Sequence, residues 1–280
     1  MYKLLAFISF LLLLNLNAQS QSSMKLMTYN IRYDSPNDGE NHWELRKRWM
    51  ANQIKFIEPE VLGIQEGLYH QVSFLDDALA DYSYVGVGRD DGQYNGEYSA
   101  IFYKTQALNV ITQSTFWLSN TPTVPSKGWD AALERICTYA LFEKKKTKEK
   151  FWVFNTHFDH LGDSARINSV DLIISQINKL NIECLPVFLM GDLNLEPDSH
   201  PIKKLSQEMI DTRYFSTALV FGPQGTFNGF KYNESVVRRI DYIFTSKNGA
   251  EILKYAVLSD SKDKKYPSDH LPIVIEAILK

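Results

Sequence analysis

"VFLMGDLNLEPDS", residues 187–199, poses the question that decides the fold. Val187–Met190 has the character of a buried strand, and Gly191 leads straight into Asp192, Leu193 and Asn194. Asp and Asn form turns readily, so a plain strand ending is one reading. The other is that a carboxylate and a carboxamide, two residues apart, are presented together at the edge of a sheet. The flanking sequence decides between them.

Working outward, short apolar runs of strand character recur at Lys25–Tyr29, Val61–Ile64, Ser99–Tyr103, Ile136–Phe142, Phe151–Asn155, Tyr242–Thr245 and Pro272–Ile278. Helical patterns fall at Trp43–Ile57, Leu68–Leu79 and Ala165–Leu180, the last behind the N-cap types Asp163 and Ser164. The alternation predicts one α/β domain over residues 24–280, without repeats or a linker.

The polar residues follow a rule on these strands. Asn30, Glu66, His157 and Asp192 come just after strands; Glu97, Arg135, Asp241, Asp269 and His270 come just before them. If the second set of strands runs opposite to the first, all nine meet at one edge. One pair tests this locally: Ile136–Phe142 and Phe151–Asn155 are joined by Glu143–Lys150, a hairpin. It puts Arg135 beside His157 and sends the Lys144–Lys148 cluster to the far edge as a solvated turn. Cys137 and Cys184 then lie toward opposite edges, beyond the roughly 6 Å reach of a disulfide, and both are expected to be free, mostly buried thiols.

The first residues read differently. Lys3, an apolar run Leu4–Leu14 and a small residue at Ala18 before a Gln/Ser stretch have the form of a secretory signal peptide, residues 1–18, followed by a short polar segment, 19–23. The run is too short for a stable membrane anchor. The expectation is an exported protein, periplasmic or secreted. Removing it leaves 29 basic and 33 acidic side chains, a net charge of −4 with His neutral. Proteins that grip long nucleic acids are usually basic on at least one face, and this composition carries no such signal.

The ordered segments "TYNIRYD", "GIQE", "GEYSAIFY", "ERICTYA", "NTHFDH", "GDLN" with "RRIDYIF", and "PSDH" resemble the endonuclease/exonuclease/phosphatase superfamily of deoxyribonuclease-like phosphoesterases. The resemblance spans essentially all of residues 24–280. Any one motif is weak; the ordered set ending in "SDH" is specific. It implies a four-layer α/β/β/α sandwich, two packed mixed β-sheets flanked by helices, with the active site at one sheet edge.

The resemblance also implies roles. Glu66 is similar to the family's main Mg²⁺ ligand, with Asn30 and Asp269 as supporting donors; Mn²⁺ would substitute. A few hard oxygen donors suffice for such an ion. Asp192 would orient or deprotonate the attacking water, and Asn194 would donate to a phosphoryl oxygen. His270 is paired with Asp241 and His157 with Glu97, each acid favouring a charged imidazole. Arg135 resembles a phosphate-contacting arginine, with a structural ion pair as the rival reading. "NTHFDHLGDSAR" looks like a bacterial subgroup's pattern and makes Arg166 a phosphate-binding candidate, with a salt bridge to Asp163 or Asp159 as its rival. Arg32 stands where abasic-site endonucleases carry an acid, which argues against that branch.

The resulting expectation is a monomeric Mg²⁺-dependent phosphoesterase that hydrolyses a phosphomonoester or phosphodiester by in-line attack of water. Its partner is a small phosphorylated substrate; the alternatives are a secreted nuclease, with nucleic acid as its partner, or a sphingomyelinase-like phosphodiesterase and, more remotely, a catalytically inactive binding module on the same fold. Trp43, Tyr94 and Trp129, in the rim segments 37–49, 88–96 and 121–129, are expected to stack on that substrate.

Overall fold

A computed structural model describes residues 22–215 and 217–280. The signal-peptide expectation falls outside these residues. Among them are thirteen strands: β1 (Met24–Asn30), β2 (Val61–Gln65), β3 (Tyr82–Val85), β4 (Ile101–Lys104), β5 (Leu108–Trp117), β6 (Ile136–Lys144), β7 (Lys150–His157), β8 (Val187–Asp192), β9 (Met209–Asp211), β10 (Leu219–Phe221), β11 (Asp241–Ser246), β12 (Ala250–Val257) and β13 (Ile273–Leu279). Four α-helices accompany them: α1 (Trp43–Ile57), α2 (Tyr69–Ala78), α3 (Asp163–Leu180) and α4 (His200–Glu208).

The strands form two mixed sheets. One has the order β10-β12-β13-β1-β2-β4-β3, the other β5-β6-β7-β8-β11-β9. Their facing sides bury Leu26, Val61, Val153, Phe188, Met190, Ile243 and Ile275 in a common core. Trp43, Met50 and Ile54 of α1 and Val72 and Leu75 of α2 cover the outer face of the first sheet. Val170, Ile173 and Ile177 of α3 and Leu205 of α4 cover that of the second. This is the α/β/β/α sandwich.

Strand periodicity places the polar residues. Side chains two apart share a face, so Asn30 continues the inner face of Leu26, His157 that of Val153, Asp192 that of Phe188 and Met190, and Asp241 that of Ile243. Register aligns them: β7 runs parallel to β8 with His157 opposite Asp192, and β11 runs antiparallel to β8 with Asp241 opposite Asp192. The apolar core thus gives way to polar groups at one end of both sheets.

A bonded layer separates the two. Gln65 Nε2 donates to Asn155 Oδ1 (2.7 Å) and Thr28 Oγ1 (3.1 Å), and Asn155 Nδ2 reaches the carbonyls of Ile64 (2.8 Å) and Ala100 (2.9 Å). This network links the sheets across the core, where unmade hydrogen bonds would be costly. Gly191 is required by close approach as well as by its φ of +141°: a Cβ there would stand 1.9 Å from Thr156 O.

The hairpin forms as expected, with Phe142 opposite Phe151 and Glu143 opposite Lys150. Two details differ. Lys144 is buried, its Nζ bonding Ser22 O (2.9 Å) and Glu149 (3.3 Å), so the turn is not wholly solvated. Cys137 and Cys184 are both free, but Cys184 is exposed because it follows α3 in a surface turn rather than entering β8. Trp43 is also not a rim residue: it is 1% exposed and packs into the α1 core.

Candidate active site

At the polar end, Glu66, Asp192 and His270 each offer a ligand atom within 4.8 Å of the others. Glu66 leaves β2 with φ +65°, a conformation costly for a non-glycine residue. Its two oxygens accept from Asn30 Nδ2 (2.9 Å) and the Tyr33 amide (3.1 Å). Asn30 Nδ2 also donates to Asp192 Oδ2 (3.0 Å), bridging the two carboxylates. Its Oδ1 faces the Arg32 amide (3.0 Å), so Asn30 would have to turn its amide to offer oxygen to a cation. Asp269, expected beside Glu66, is not in that three-residue cluster; Arg32 Nε lies 3.8 Å from its carboxylate.

Asp192 is buried at 1% exposure. Its Oδ1 accepts from the Asn194 amide (2.9 Å), while Oδ2 lies 3.5 Å from His157 Nε2 and 3.7 Å from His270 Nε2. Asn194, at φ +51°, directs Nδ2 to Phe158 O (3.0 Å) and His157 Nε2 (3.0 Å). Both contacts hold the amide in the cleft, and a phosphoryl oxygen would replace one of them.

The two His–acid pairs differ. His270 Nδ1 is 2.9 Å from Asp241 Oδ2. Burial opposes its charge, but Asp241 and Asp192 outweigh burial and raise its pKa to about 10. His157 Nδ1 is 3.9 Å from Glu97, beyond hydrogen-bond range. Glu97 is instead held bidentately by Arg89 (2.7 and 3.0 Å). Burial, with Arg135 and Arg89 nearby, pushes the His157 pKa well below its usual value. The two pairs therefore differ from the expected symmetry: Asp241 and Asp192 favour the charged form of His270, whereas burial and the nearby arginines disfavour that of His157.

Arg135 and Arg166 take protein partners. Arg135 Nε lies 3.4 Å from Asp159, and its Nη2 is 3.0 Å from His160 Nδ1. Asp159 also accepts from the amides of Leu133 (3.3 Å), Leu161 (3.0 Å) and Gly162 (2.8 Å). Burial would raise its pKa, but these contacts hold it below the usual carboxylate range. Arg166 pairs with Asp163 and donates to Asp159 O (3.3 Å). The ion-pair reading describes both arginines.

Three contributors have no role in the sequence reading: Arg89, Thr226 and Asn228. Thr226 Oγ1 accepts from the Ile240 and Asp241 amides (both 3.1 Å), and its carbonyl accepts from Leu271 N. Asn228 N and Gly229 N donate to Asp269 O (2.8 and 3.0 Å). This segment ties Asp241, from one sheet, to Asp269 and His270, from the other. The signal for it is the turn-like "TFNG" between strands.

The donor set fits a divalent cation. Burial raises the Asp192 pKa to about 7, with Asp241 adding to it, and burial raises that of Asp269 to about 6, with Glu66 adding. Burial and mutual crowding leave these carboxyls raised despite His270 and Arg32 nearby, and hard oxygens without thiolate suit Mg²⁺ or Mn²⁺ better than zinc.

Comparison with known proteins agrees with this geometry. A profile described as "Endonuclease/Exonuclease/phosphatase family" matches residues 27–270. The chain belongs to that family. It is a phosphoric ester hydrolase. It is similar to an endonuclease/exonuclease/phosphatase family protein of Bacteroides thetaiotaomicron (35% identity, 92% of this chain, 98% of that one, TM-score 0.87). It is also similar to a mannosyl-6-phosphatase of the same organism (35% identity, 91% and 100% covered, TM-score 0.87). A curated relative, an uncharacterized protein of Acanthamoeba polyphaga mimivirus, is 28% identical over 254 residues, covering 83% of this chain and 91% of its own. Human nocturnin's catalytic domain, 19% identical at TM-score 0.73 with 92% and 94% covered, shares the fold. No described helix is long and apolar enough to cross a membrane.

Proposed function

We propose that this chain is a Mg²⁺-dependent phosphoesterase whose substrate is a small phosphorylated compound, with a sugar phosphomonoester the favoured class. The observation that supports it best is the convergence of Glu66, Asp192 and His270, with ligand atoms within 4.8 Å of one another, at the sheet edge. The likeness to a mannosyl-6-phosphatase at 35% identity favours the sugar phosphate. A net charge of −4 after removal of residues 1–18 disfavours duplex DNA, which carries one negative charge per ~1.7 Å of axis. The lysine run 144–148 lies in the turn at the opposite end of β6 and β7 and adds nothing to the cleft.

Glu66 would hold the ion, with Asn30 and Asp269 in support. When bound, Mg²⁺ neutralises charge on the phosphoryl oxygens. Asp192 Oδ2 orients the attacking water and takes its proton. His270, its charged form favoured by Asp241 at 2.9 Å, stabilises the charge developing on the phosphoryl oxygens. His157 and Asn194 orient the phosphoryl group from the other side. Positioning of this kind is most of what phosphoryl transfer asks of a protein. On this reading the enzyme acts as an exported monomer, periplasmic or secreted, its mature chain beginning near Gln19.

Turnover of mannose 6-phosphate, other hexose phosphates, a phosphodiester and plasmid DNA with Mg²⁺, across a salt series, tests the substrate class. Phosphate release from sugar monoesters with weak salt dependence is expected. Efficient plasmid cleavage with steep salt dependence, and none on small esters, would replace this reading with a secreted nuclease.

A further inference from the structure

Arg46 lies in the first turns of α1 on the apolar face it shares with Trp43 and Met50, and is 3% exposed. Burying an arginine there is costly unless its charge and donors are matched. Its partners are main-chain carbonyls. Nη1 donates to Ile31 O and to Pro267 O (3.1 Å), Nη2 to Arg32 O (2.8 Å) and Nε to Asn41 O (2.8 Å). The guanidinium also stands over the rings of Trp43 (5.2 Å) and Phe230 (5.7 Å).

These carbonyls belong to the segments that carry the site. Ile31 and Arg32 follow Asn30 at the end of β1, where Arg32 takes φ +58°. Pro267 precedes Ser268, Asp269 and His270. Ser268 Oγ donates to Asn30 O (2.7 Å), a second tie between the same two segments. Asn41 closes the short turn that leads into α1.

We infer that Arg46 is a positioning residue for the phosphoester site, its planar fork fixing the segment after Asn30 against the segment that presents Asp269 and His270. The inference rests on the functional reading above and extends it to a residue that touches neither substrate nor ion. The fork is what matters. A lysine keeps the charge but offers its donors from a single point and cannot span carbonyls on three segments. Without the fork, the Ile31 and Pro267 carbonyls lose a donor, and the two site segments are left with the Ser268 hydroxyl and the side-chain contacts Arg32–Asp269 (3.8 Å) and Asn30–His270 (3.4 Å).

The test compares wild type with Arg46→Lys and Arg46→Met, and with Ile252→Ala as a destabilised control. Ile252 is buried on β12 opposite Ala277, in the strand pair remote from the site. Kinetics are measured on a sugar phosphate with Mg²⁺ well below each Tm. Amide hydrogen exchange is followed without metal or substrate. For both Arg46 variants the expected result is a kcat lower by roughly 10–100-fold with little change in KM, because a displacement on the order of 1 Å costs that much. Exchange should quicken in residues 31–33 and 267–271 and stay unchanged in β8. A kcat loss no greater than that of Ile252→Ala, or faster exchange spread over both sheets, would overturn the inference and leave Arg46 a general stabiliser. If wild type hydrolyses none of the phosphoesters, the functional reading fails, and localised or spread exchange alone decides the role of Arg46.

Discussion

His157 Nε2 and His270 Nε2 lie 3.5 and 3.7 Å from the same Asp192 oxygen, both buried, yet their surroundings push their pKa values in opposite directions. The difference lies behind the rings. Behind His270 stands Asp241, at 2.9 Å and with its other oxygen unpartnered. Behind His157 stands Glu97, whose two oxygens are taken by Arg89, with Arg135 adding a second positive charge nearby. An acid near a histidine charges it only when nothing else has claimed the acid. The site therefore favours a charged imidazole at His270, suited to charge stabilisation, and a neutral one at His157, suited to orienting a neighbour.

The comparison can be broken at each pair. His270→Ala and Asp241→Asn should each lower kcat by roughly 10²–10³-fold, the scale of a lost charge-stabilising group. The double variant should be little worse than either, since residues acting as a unit are not additive. Multiplying losses in a kinetic double-mutant cycle would disprove the unit. Glu97→Gln should be milder for catalysis, roughly 10-fold or less, because its carboxylate serves Arg89 more than His157. Its larger effect should be on stability, a loss of up to roughly 3 kcal/mol in denaturant unfolding, since buried Arg89 keeps only the more exposed Asp90 carboxylate, at 3.7 Å, as a counter-charge. An activity loss as large as that of His270→Ala would show that Glu97 acts through His157 after all.

The subtlest test is ring ¹⁵N spectroscopy of the metal-free protein at pH 7.5, which should show His270 doubly protonated and His157 neutral. The linked stability changes have opposite signs. The folded pKa of His270 is raised, so its contribution is full below about 6.5 and lost as pH rises through about 10. That of His157 is depressed, so its contribution is present above about 6.5 and lost as pH falls below it. Two rings titrating together would remove the distinction.

Much of this was legible because strand ends are. Asn30, His157 and Asp192 end apolar runs and Asp241 begins one, and a period of two carries them to the inner face. Helix α1 was legible residue for residue from its apolar spacing. The outer strands were not. Strand β5, "LNVITQSTFW", is mostly solvent-facing at the sheet edge and shows no apolar run. Strands β9 and β10 have three residues each, and α4 begins at His200-Pro201 with only Pro201, Ile202 and Leu205 buried. Arg89 and Arg46 gain their roles from contacts that close only in three dimensions, and ion pairs leave no mark on local periodicity. Arg46 did leave a trace: a charged residue on the face of Trp43 and Met50 signals a buried arginine with partners to find.

Phosphate release from a sugar phosphomonoester by wild type, Asp192→Asn and Glu66→Gln, with Mg²⁺ and with excess chelator, decides whether the polar end of the two sheets is the proposed metal-dependent hydrolytic site organised around Asp192 and Glu66. Wild type is expected to turn over the substrate, with chelator abolishing the activity and Mg²⁺ or Mn²⁺ restoring it. Asp192→Asn should be slower by roughly 10²–10⁴-fold at saturating metal, and Glu66→Gln should need far more Mg²⁺ for half-maximal rate. Full wild-type activity in excess chelator, or an Asp192→Asn enzyme as fast as wild type, would contradict that reading of the site.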